Sequence, residues 1–444
     1  MQFSKQENIL VVLIVTAILT SGIAFILSGC VRSREAGHKN QNNISVAIID
    51  TPLSAPTPTP LPPPQKLSNP PAIIRSIYVT GYSAGSKSYL NYLTSLFKNT
   101  DINAVVVDVK GSDGHVTYAS GAEDVKKYNL DDDAISNIDD LVRFFHSQNI
   151  YVIGRIAVFE DPVFAKARPD LAIYNEKETL RDASGQTTNL VLWKDNNKLS
   201  WMDPASKDVW NYDVSLAQDA FGHGFDEVNF DYVRFPTDGQ ENNMGFPVWD
   251  GKTPMADVID SFFKYVHANL ANDPTSPEGS AGRGKISADL FGLTTVNNDD
   301  MGIGQLIQNA FTNFDYVSPM VYPSHYANGF IGFANPAEHP YDVIKYSMDH
   351  ALVKENNFIQ SEQDAIAKNS EAVDSPAELS QIFVPSPTLV PLAKYRPWIQ
   401  DFNMGADYTP GMVDQEIQAV KDSLGNGYAG FMLWNPTNIY NYTY

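Results

Sequence analysis

The sequence predicts a (β/α)8 barrel, known as the TIM barrel, and two observations lead to this fold class. Short runs rich in β-branched residues alternate with helical stretches in the globular part of the chain, and that alternation indicates a parallel sheet. Eight such runs occur, the number that closes a barrel whose usual size is about 250 residues and which insertions extend beyond about 400. A doubly wound open sheet is the structural alternative, although no glycine-rich phosphate loop follows the first strand.

The predicted elements follow one another along the chain from residue 73 to residue 434. The strands are residues 73–82, 104–110, 150–159, 225–235, 285–291, 315–322, 396–402 and 428–434. The helices are residues 88–98, 137–148, 206–222, 254–271, 304–313, 341–353 and 409–424. Two insertions interrupt the alternation, at residues 161–201 and at residues 354–394. The second is polar and then proline-rich, and we expect it to be mostly irregular with one short helix.

The segment 1–30 predicts a membrane anchor. Lys5 precedes an apolar run over residues 9–27, and the run ends in Leu27-Ser28-Gly29-Cys30. These features are typical of a bacterial lipoprotein signal, after which Cys30 is acylated and becomes the new N-terminus. The alternative is an intact transmembrane helix, because the run approaches the ~20 residues that span a bilayer. Either anchor leaves the rest of the chain on the extracytoplasmic face, with Lys5 inside.

Residues 31–71 form a linker between the anchor and the globular part. The stretch 51–64 is rich in proline, serine and threonine, so we expect an extended, disordered, polyproline-like spacer. It would hold the barrel domain, residues 72–444, away from the membrane surface.

The charge balance argues against one broad class of function. The chain of 444 residues has 31 Lys and Arg against 52 Asp and Glu, a formal net charge of −21. Nucleic-acid binding requires clustered basic residues that neutralise phosphates, so no nucleic-acid partner is expected. Cys30 is the only cysteine, which excludes an intramolecular disulfide and a cysteine-based zinc site. We expect a monomer.

Strand alternation predicts which polar side chains face the barrel interior, because successive side chains point to opposite faces. In the second strand the valines face the helices, which leaves Asp108 and Lys110 facing inward. The fourth strand points Asn229 and Asp231 inward, and the fifth points Asp289 inward. The remaining candidates for substrate binding on the third and the sixth to eighth strands are Arg155, Tyr322, Trp398, Gln400, Asp401 and Trp434, although alternation points Gln400 inward rather than Asp401. His325 is a further candidate, at the rim, because it follows the sixth strand.

Two of these carboxylates are candidates for catalysis. A buried carboxylate without a partner is costly, and barrel active sites form at the C-terminal ends of the strands. Glycoside hydrolysis requires two carboxyl groups: one protonates the leaving oxygen, and the other attacks or stabilises the anomeric carbon or activates water. We predict that Asp231 and Asp289 form this pair, with Asp108 as a third candidate and Asp401 as a substitute for Asp289. Alternatively, Asp108 and Lys110 form a structural ion pair at the barrel mouth.

Several stretches resemble a bacterial family described as putative glycoside hydrolases, a domain of otherwise unknown function. They are residues 104–114 (AVVVDVKGSDG), 201–204 (WMDP), 224–236 (GFDEVNFDYVRFP), 286–293 (ISADLFGL), 315–323 (DYVSPMVYP), 396–402 (RPWIQDF) and 430–436 (GFMLWNP). The likeness covers most of residues 72–444 and follows the order of the strands. It implies a TIM barrel distantly similar to the alpha-amylase and chitinase clans, with an aspartate at the end of the fourth strand, which is Asp231.

The chain also departs from the patterns of those clans. The alpha-amylase pattern has an arginine where this chain has Asn229 and a fifth-strand glutamate where it has Asp289. The chitinase pattern ends its fourth strand in a glutamate after spaced aspartates, which this chain lacks. The resemblance therefore implies the fold and the general class, and it leaves the acid–base assignment open.

The expected function is hydrolysis of O-glycosidic bonds in a cell-envelope or extracellular polysaccharide by a membrane-tethered enzyme. The alternative is a non-catalytic carbohydrate-binding or envelope-scaffold protein on the same fold, because fold alone does not imply activity. No cofactor is expected. No metal site is expected either, since the sequence has no His-x-x-x-His or His-Glu-x-x-His spacing.

Overall fold

An eight-stranded parallel barrel forms the body of the protein, as the sequence predicts. The structure, a computed structural model, describes residues 61–270, 284–371 and 392–440. The predicted anchor at residues 1–30, with Cys30, and most of the linker lie outside the described residues. Within the described ranges, no helix combines the length and the apolar character that crossing a bilayer requires.

The strands pair in chain order around a closed barrel. They are β1 (Ile74–Val79), β2 (Ala104–Lys110), β3 (Tyr151–Ala157), β4 (Glu227–Asp231), β5 (Lys285–Phe291), β6 (Tyr316–Met320), β7 (Lys394–Tyr395 and Trp398–Gln400) and β8 (Gly430–Trp434). All neighbouring pairs are parallel, and β8 closes the barrel by placing Gly430 opposite Ile74. The break in β7 includes Pro397, which has no N–H to donate to a neighbouring strand.

Six longer helices in the described part of the chain surround the barrel. They are α1 (Lys87–Asn99), α2 (Ile138–His146), α3 (Lys207–Gly222), α4 (Met255–Leu270), α5 (Pro340–Glu371) and α6 (Pro410–Leu424), and shorter helices span Gly81–Ala84, Glu123–Tyr128 and Pro162–Ala167. Side-chain caps define two of the helix starts: Asn137 accepts a hydrogen bond from the Asp140 N–H at α2, and Ser206 accepts one from the Val209 N–H at α3. The first insertion adds short strands that pair antiparallel. Tyr174–Asn175 pairs with Met244–Gly245, which follows β4, and Leu180–Arg181 pairs with Thr187–Asn189 within the insertion.

The helices differ from the prediction in two places. A 3-10 turn, Ile307–Ala310, replaces the helix predicted at residues 304–313. Gly304 has a positive φ of 82°, which a right-handed helix does not allow, so the helix does not begin at this residue. A Cβ at this position would lie 2.7 Å from the Met255 carbonyl oxygen, so the site suits only glycine. In contrast, α5 continues to Glu371 instead of ending at residue 353. Residues 354–371 contain no glycine or proline, so the first part of the insertion is helical and not irregular.

The apolar core has two layers that are separated by the strands. The outer layer packs β2 valines such as Val105 and Val107 against the helices. The inner layer fills the barrel and includes Val106, Ile153 and Met432. Alternation along the strands therefore predicts, for most side chains, whether they face the helices or the barrel interior.

A buried ion pair occupies the N-terminal half of the barrel interior. Glu227 of β4 accepts hydrogen bonds from both terminal nitrogens of Arg396, and the contact from Nη1 to Oε2 is 3.1 Å. Tyr151 and Ser287 donate to the same carboxylate at 3.2 and 2.6 Å. The charge of Glu227 is therefore satisfied by structural contacts, and it lies at the opposite end of β4 from Asp231.

The predicted inward orientation of Lys110 is wrong. A bulge between Asp108 and Lys110 shifts the register of β2 against β3, so the alternation of side chains fails after Asp108. The Lys110 ammonium lies 2.8 Å from Asp161 and 2.8 Å from Asp213 of α3, and all three side chains are fully buried. Lys110 therefore joins β2 to the helix layer and forms no ion pair with Asp108.

We predict that replacing Lys110 lowers stability strongly. Lys110→Met would leave the carboxylates of Asp161 and Asp213 buried without a cation, which costs about 3–5 kcal/mol in the free energy of unfolding. Urea denaturation of the purified protein measures the change. Lys264→Met is the matched control, because Lys264 is paired with Asp260 at an exposed position and should cost about 0.5 kcal/mol or less. A loss below about 1 kcal/mol for Lys110→Met would contradict a stabilising role.

Candidate active site

A cavity opens at the C-terminal ends of the strands, where barrel active sites form. Seven of the predicted site residues line it, and they come from β2, β3, β4, β5, β7, β8 and the segment after β6: Asp108, Arg155, Asp231, Asp289, Tyr322, Trp398 and Trp434. The structure therefore brings these residues together around one cavity, although separate strands carry them. The cavity combines three buried aspartates with the buried guanidinium groups of Arg155 and Arg234.

The guanidinium of Arg155 bridges two aspartates. Its Nη1 donates to Asp108 Oδ1 at 2.7 Å, while Nε and Nη2 donate to Asp231 Oδ2 at 3.0 and 2.6 Å. Its centre also lies 5.6 Å from the ring of Tyr78 and 5.5 Å from that of Trp434. These contacts fix the guanidinium in the wall of the cavity, so Asp231 has a cation beside it and a defined orientation.

Asp108 is held on its other side by a tyrosine. The Tyr78 hydroxyl donates to Asp108 Oδ2 at 2.6 Å, so both oxygens of Asp108 have partners. Burial raises the pKa of Asp108, and the charge of Arg155 and the hydrogen bond from Tyr78 oppose that shift. Asp108 thus orients Arg155 from the side opposite Asp231.

The backbone turns sharply directly after Asp231. Tyr232 has a φ of +53°, in the left-handed region that a bulky residue seldom adopts. Its N–H donates to Asp231 Oδ1 at 2.7 Å, while Oδ2 accepts from Arg155. Strained backbone of this kind clusters at functional sites. Here the turn ends β4 and completes the set of donors that orient the Asp231 carboxylate.

Asp289 differs from the other two aspartates because no cation contacts it among the described residues. Its Oδ1 accepts a hydrogen bond of 2.8 Å from the Asn229 amide. Burial raises the pKa of Asp289 well above the usual range, and the nearby charge of Asp231 raises it further. The Asn229 and Trp398 side chains oppose the shift but do not reverse it. Burial and the neighbouring Asp231 therefore both favour the neutral form of Asp289.

Aromatic side chains form much of the cavity wall. Tyr78 stacks on Trp434 with ring centroids 4.0 Å apart, and Trp398 meets Trp434 edge to face at 5.6 Å. Tyr322 lines the same space. Flat apolar faces and a few directed polar groups are the composition expected of a small-molecule or sugar site.

Four predicted substrate-binding residues lie away from the cavity lining, in addition to Lys110. Asn229 is buried below Asp289 and contacts it directly. Gln400 uses its amide locally: Oε1 accepts from Ser324 Oγ at 2.8 Å, and Nε2 donates to the Phe402 carbonyl at 2.9 Å. Asp401 is fully buried behind the end of β8.

His325 was expected at the rim, but the structure buries it. Its Nδ1 lies 3.0 Å from Ser324 Oγ, within the 3-10 turn Pro323–His325 that follows β6. Burial lowers the pKa of His325 to about 3, so the imidazole is neutral at physiological pH. The short turn folds the side chain back under Phe402, with ring centroids 6.0 Å apart, instead of extending it into the cavity.

Some of the lining residues are not among the predicted site residues. Tyr78 faces inward from β1 by the same alternation that applies to β2, so the pattern contains the signal. Asp113, His115 and Asp132 lie on loops at the cavity mouth, where no strand period applies, and Tyr82 lies there in the short helix Gly81–Ala84. Among the described residues, no group of three or more His, Asp or Glu side chains is arranged to hold a metal ion.

The family comparison gives a match over most of the chain. A family model described as "putative glycosyl hydrolase domain" matches residues 76–367 and 374–440. Among curated proteins, none matches the chain.

Solved structures resemble the chain to different extents. A hypothetical protein from Ruminiclostridium thermocellum is 34% identical over 48% of this chain and 96% of its own, with a TM-score of 0.39. The PgaB (BpsB) glycoside hydrolase domain from Bordetella bronchiseptica is 10% identical over 82% of this chain and 94% of its own, with a TM-score of 0.50. At such low identity the second likeness shows a shared fold.

We predict that Asp289→Asn makes the protein less sensitive to rising pH. The unfolded Asp289 carboxyl ionises near pH 4, whereas the folded one retains its proton to higher pH, so wild type loses stability as pH rises through that interval. Asparagine resembles the neutral acid and does not titrate. The stability advantage of the variant should therefore grow with pH above about 4, by up to about 1.4 kcal/mol per pH unit. Urea unfolding at pH 4, 6 and 8 measures it.

Asp182→Asn provides a control of opposite sign. A hydrogen bond from Ser184 lowers the pKa of Asp182 in an exposed turn, so its folded form favours the ionised carboxylate. The deficit of that variant relative to wild type should build up as pH rises to about 4, where the unfolded Asp182 ionises, and then stay constant from pH 4 to 8. A constant difference between Asp289→Asn and wild type from pH 4 to 8 would show that Asp289 is not held in its neutral form.

Proposed function

This chain belongs to the family of putative glycosyl hydrolase domains, and on that premise we propose that it cleaves a cell-envelope or extracellular polysaccharide with Asp231 and Asp289 as its carboxylate pair. The observation that supports this most directly is the difference between the two groups in one cavity. Asp231 pairs with the Arg155 guanidinium, whereas burial and the charge of Asp231 raise the pKa of Asp289. Environments that separate the protonation states of two carboxyls assign the acid and the base.

In the proposed reaction Asp289 is the general acid. It donates its proton to the glycosidic oxygen as the bond from that oxygen to the anomeric carbon breaks. The hydrogen bond from Asn229 is accepted by Oδ1, so Oδ2 is the oxygen that carries the transferable proton. After the transfer, the leaving sugar has a free hydroxyl and Asp289 is a carboxylate.

Asp231 is the partner that stabilises positive charge at the anomeric carbon. In a retaining reaction it bonds to that carbon, and Asp289 then removes a proton from the water that releases the sugar. In an inverting reaction Asp231 instead accepts the proton of the attacking water. Oδ2 is occupied by Arg155 and Oδ1 by the Tyr232 N–H, so the carboxylate is already oriented before the substrate arrives, which lowers the cost of reaching the transition state.

The polymeric substrate and its location are supported by separate features. The aromatic wall of Tyr78, Trp398 and Trp434 offers apolar faces for sugar rings. The lipoprotein-type or transmembrane segment at residues 1–30, followed by a proline-rich linker, would place the barrel within reach of envelope glycans.

We predict that substitutions of the two aspartates affect different substrates. Asp231→Asn should lower turnover by at least about 10³-fold on every glycoside, because the charge at the anomeric carbon is then uncompensated. Asp289→Asn should lower turnover of natural glycans by about 10²–10⁴-fold. It should lower turnover of dinitrophenyl glycosides far less, because that leaving group departs without protonation. Reducing-sugar release and dinitrophenol absorbance measure the two reactions.

Asp401→Asn is the matched control for this experiment. It removes a buried carboxylate that lies outside the cavity lining, so turnover should change by less than about threefold, because a group outside the cavity cannot transfer a proton to the substrate. Equal losses on both substrate types for Asp289→Asn would exclude Asp289 as the general acid. A large loss for Asp401→Asn, in protein that melts normally, would make Asp401 the acid instead.

We also predict that Cys30 is lipidated when the chain is expressed in a bacterium. Wild type should incorporate an alkyne-tagged fatty acid and yield a mature N-terminus at Cys30, because small residues precede that cysteine after an apolar run. Cys30→Ser should incorporate none. If wild type remains unlabelled and keeps residues 1–29 while it sediments with membranes, the anchor is a transmembrane helix.

A further inference from the structure

One aromatic residue at the cavity mouth is exposed where the others are buried. Tyr82 lines the cavity and is 65% exposed, while Tyr78, Trp398 and Trp434 in its interior are each at most 9% exposed. Exposing a tyrosine ring to water has no benefit for packing. The position of Tyr82 at the opening of a site proposed to bind sugars therefore suggests a binding surface.

The Tyr82 side chain is held in place despite its exposure. Its hydroxyl donates to Asp132 Oδ2 at 2.5 Å, and Asp132 Oδ1 accepts from the Ala134 N–H at 3.2 Å. The hydrogen bond to Asp132 raises the pKa of Tyr82 to about 12, so the hydroxyl remains a donor. The ring is thus fixed at its outer end before any ligand binds.

The backbone that carries Tyr82 is equally constrained. Tyr82 belongs to the short helix Gly81–Ala84, which Thr80 caps by accepting a hydrogen bond from the Ser83 N–H at 3.2 Å. A Cβ at Gly81 would lie 2.5 Å from the Thr117 side chain, so the helix sits tightly against the segment after β2. A rigid platform loses little conformational entropy when it binds, which favours affinity.

Polar groups accompany the ring at the mouth. Asp113 and His115 line the same cavity, and their side chains are 44% and 41% exposed. Carboxylate and imidazole groups beside an aromatic face provide acceptors and donors for the hydroxyls of a sugar ring that lies on that face. The mouth therefore has both components of a sugar subsite, and the buried carboxylate pair has its own aromatic wall deeper in the cavity.

We propose that Tyr82, with Asp132 as its anchor and Asp113 and His115 at its side, forms a second subsite that stacks a pyranose unit of the glycan. This pyranose unit is a different unit of the glycan from the one that binds at Asp231 and Asp289. The inference rests on the proposed function, because it takes the inner cavity to hold a sugar. A second subsite predicts that the protein binds oligosaccharide or polysaccharide chains more tightly than single-sugar glycosides.

Calorimetric titration of the full chain tests the subsite without requiring turnover. The probes are oligosaccharides of one to six units of N-acetylglucosamine, galactose or glucuronic acid, titrated into protein that carries Asp231→Asn to prevent hydrolysis. In at least one series, affinity should rise about tenfold or more when the chain becomes long enough to reach Tyr82. Tyr82→Ala should remove that increase and leave the affinity of the shortest bound probe unchanged. Tyr82→Phe should retain it, since stacking needs the ring and not the hydroxyl.

Tyr346→Ala is the control, because Tyr346 is exposed on α5 and does not line the cavity. It should leave all affinities unchanged. An increase with chain length that survives Tyr82→Ala would overturn the subsite, as would the absence of any increase in all three series. A Tyr82-dependent increase without turnover in protein that has Asp231 would overturn the proposed hydrolysis but retain the subsite.

Discussion

The ion pair network centred on Arg155 is the constraint on which the candidate site depends. A guanidinium buried in a barrel requires compensating charge, and two aspartates from the neighbouring strands β2 and β4 provide it. Because Arg155 lies between them, the positions of Asp108 and Asp231 are linked. Tyr78 adds a hydrogen bond to Asp108 from β1. Four adjacent strands therefore have to close in the correct register before Asp231 has its orientation.

The other buried charges show why Asp289 stands out. Lys110 is compensated by Asp161 and Asp213, and Arg396 is compensated by Glu227. Each of these groups stabilises the fold only while its partner is present. Asp289 has no cation within contact among the described residues, so the physical way to accommodate it is to keep it protonated. A proton held at the C-terminal end of a barrel strand is available for general-acid chemistry, which agrees with the role proposed for Asp289.

Most of the fold followed from sequence periodicity, while loops and irregularities did not. Valines at every second position of β2 identified Asp108 as inward, and the same rule placed Asp231 and Asp289. The rule failed at Lys110, because a bulge changes the strand register locally and alternation does not predict bulges. The position expected for His325 was wrong for a different reason: it lies outside the strands, in a three-residue turn that sets its side-chain direction. The mouth residues Tyr82 and Asp132 lie 50 positions apart, and only the closed barrel brings them together.

A chain of hydrogen bonds connects the structural half of the barrel interior to its functional half. Arg396 donates to Glu227, and Ser287 donates to the same carboxylate at 2.6 Å. The Asn229 amide nitrogen, in turn, donates to Ser287 Oγ at 3.0 Å and to Asp289 Oδ1 at 2.8 Å. Since Ser287 gives its only proton to Glu227, its oxygen can only accept from Asn229. This fixes the orientation of the Asn229 amide, which in turn fixes Oδ1 of Asp289 as the acceptor. The ion pair at one end of the barrel is therefore connected through two side chains, Ser287 and Asn229, to Oδ1 of Asp289 at the other end.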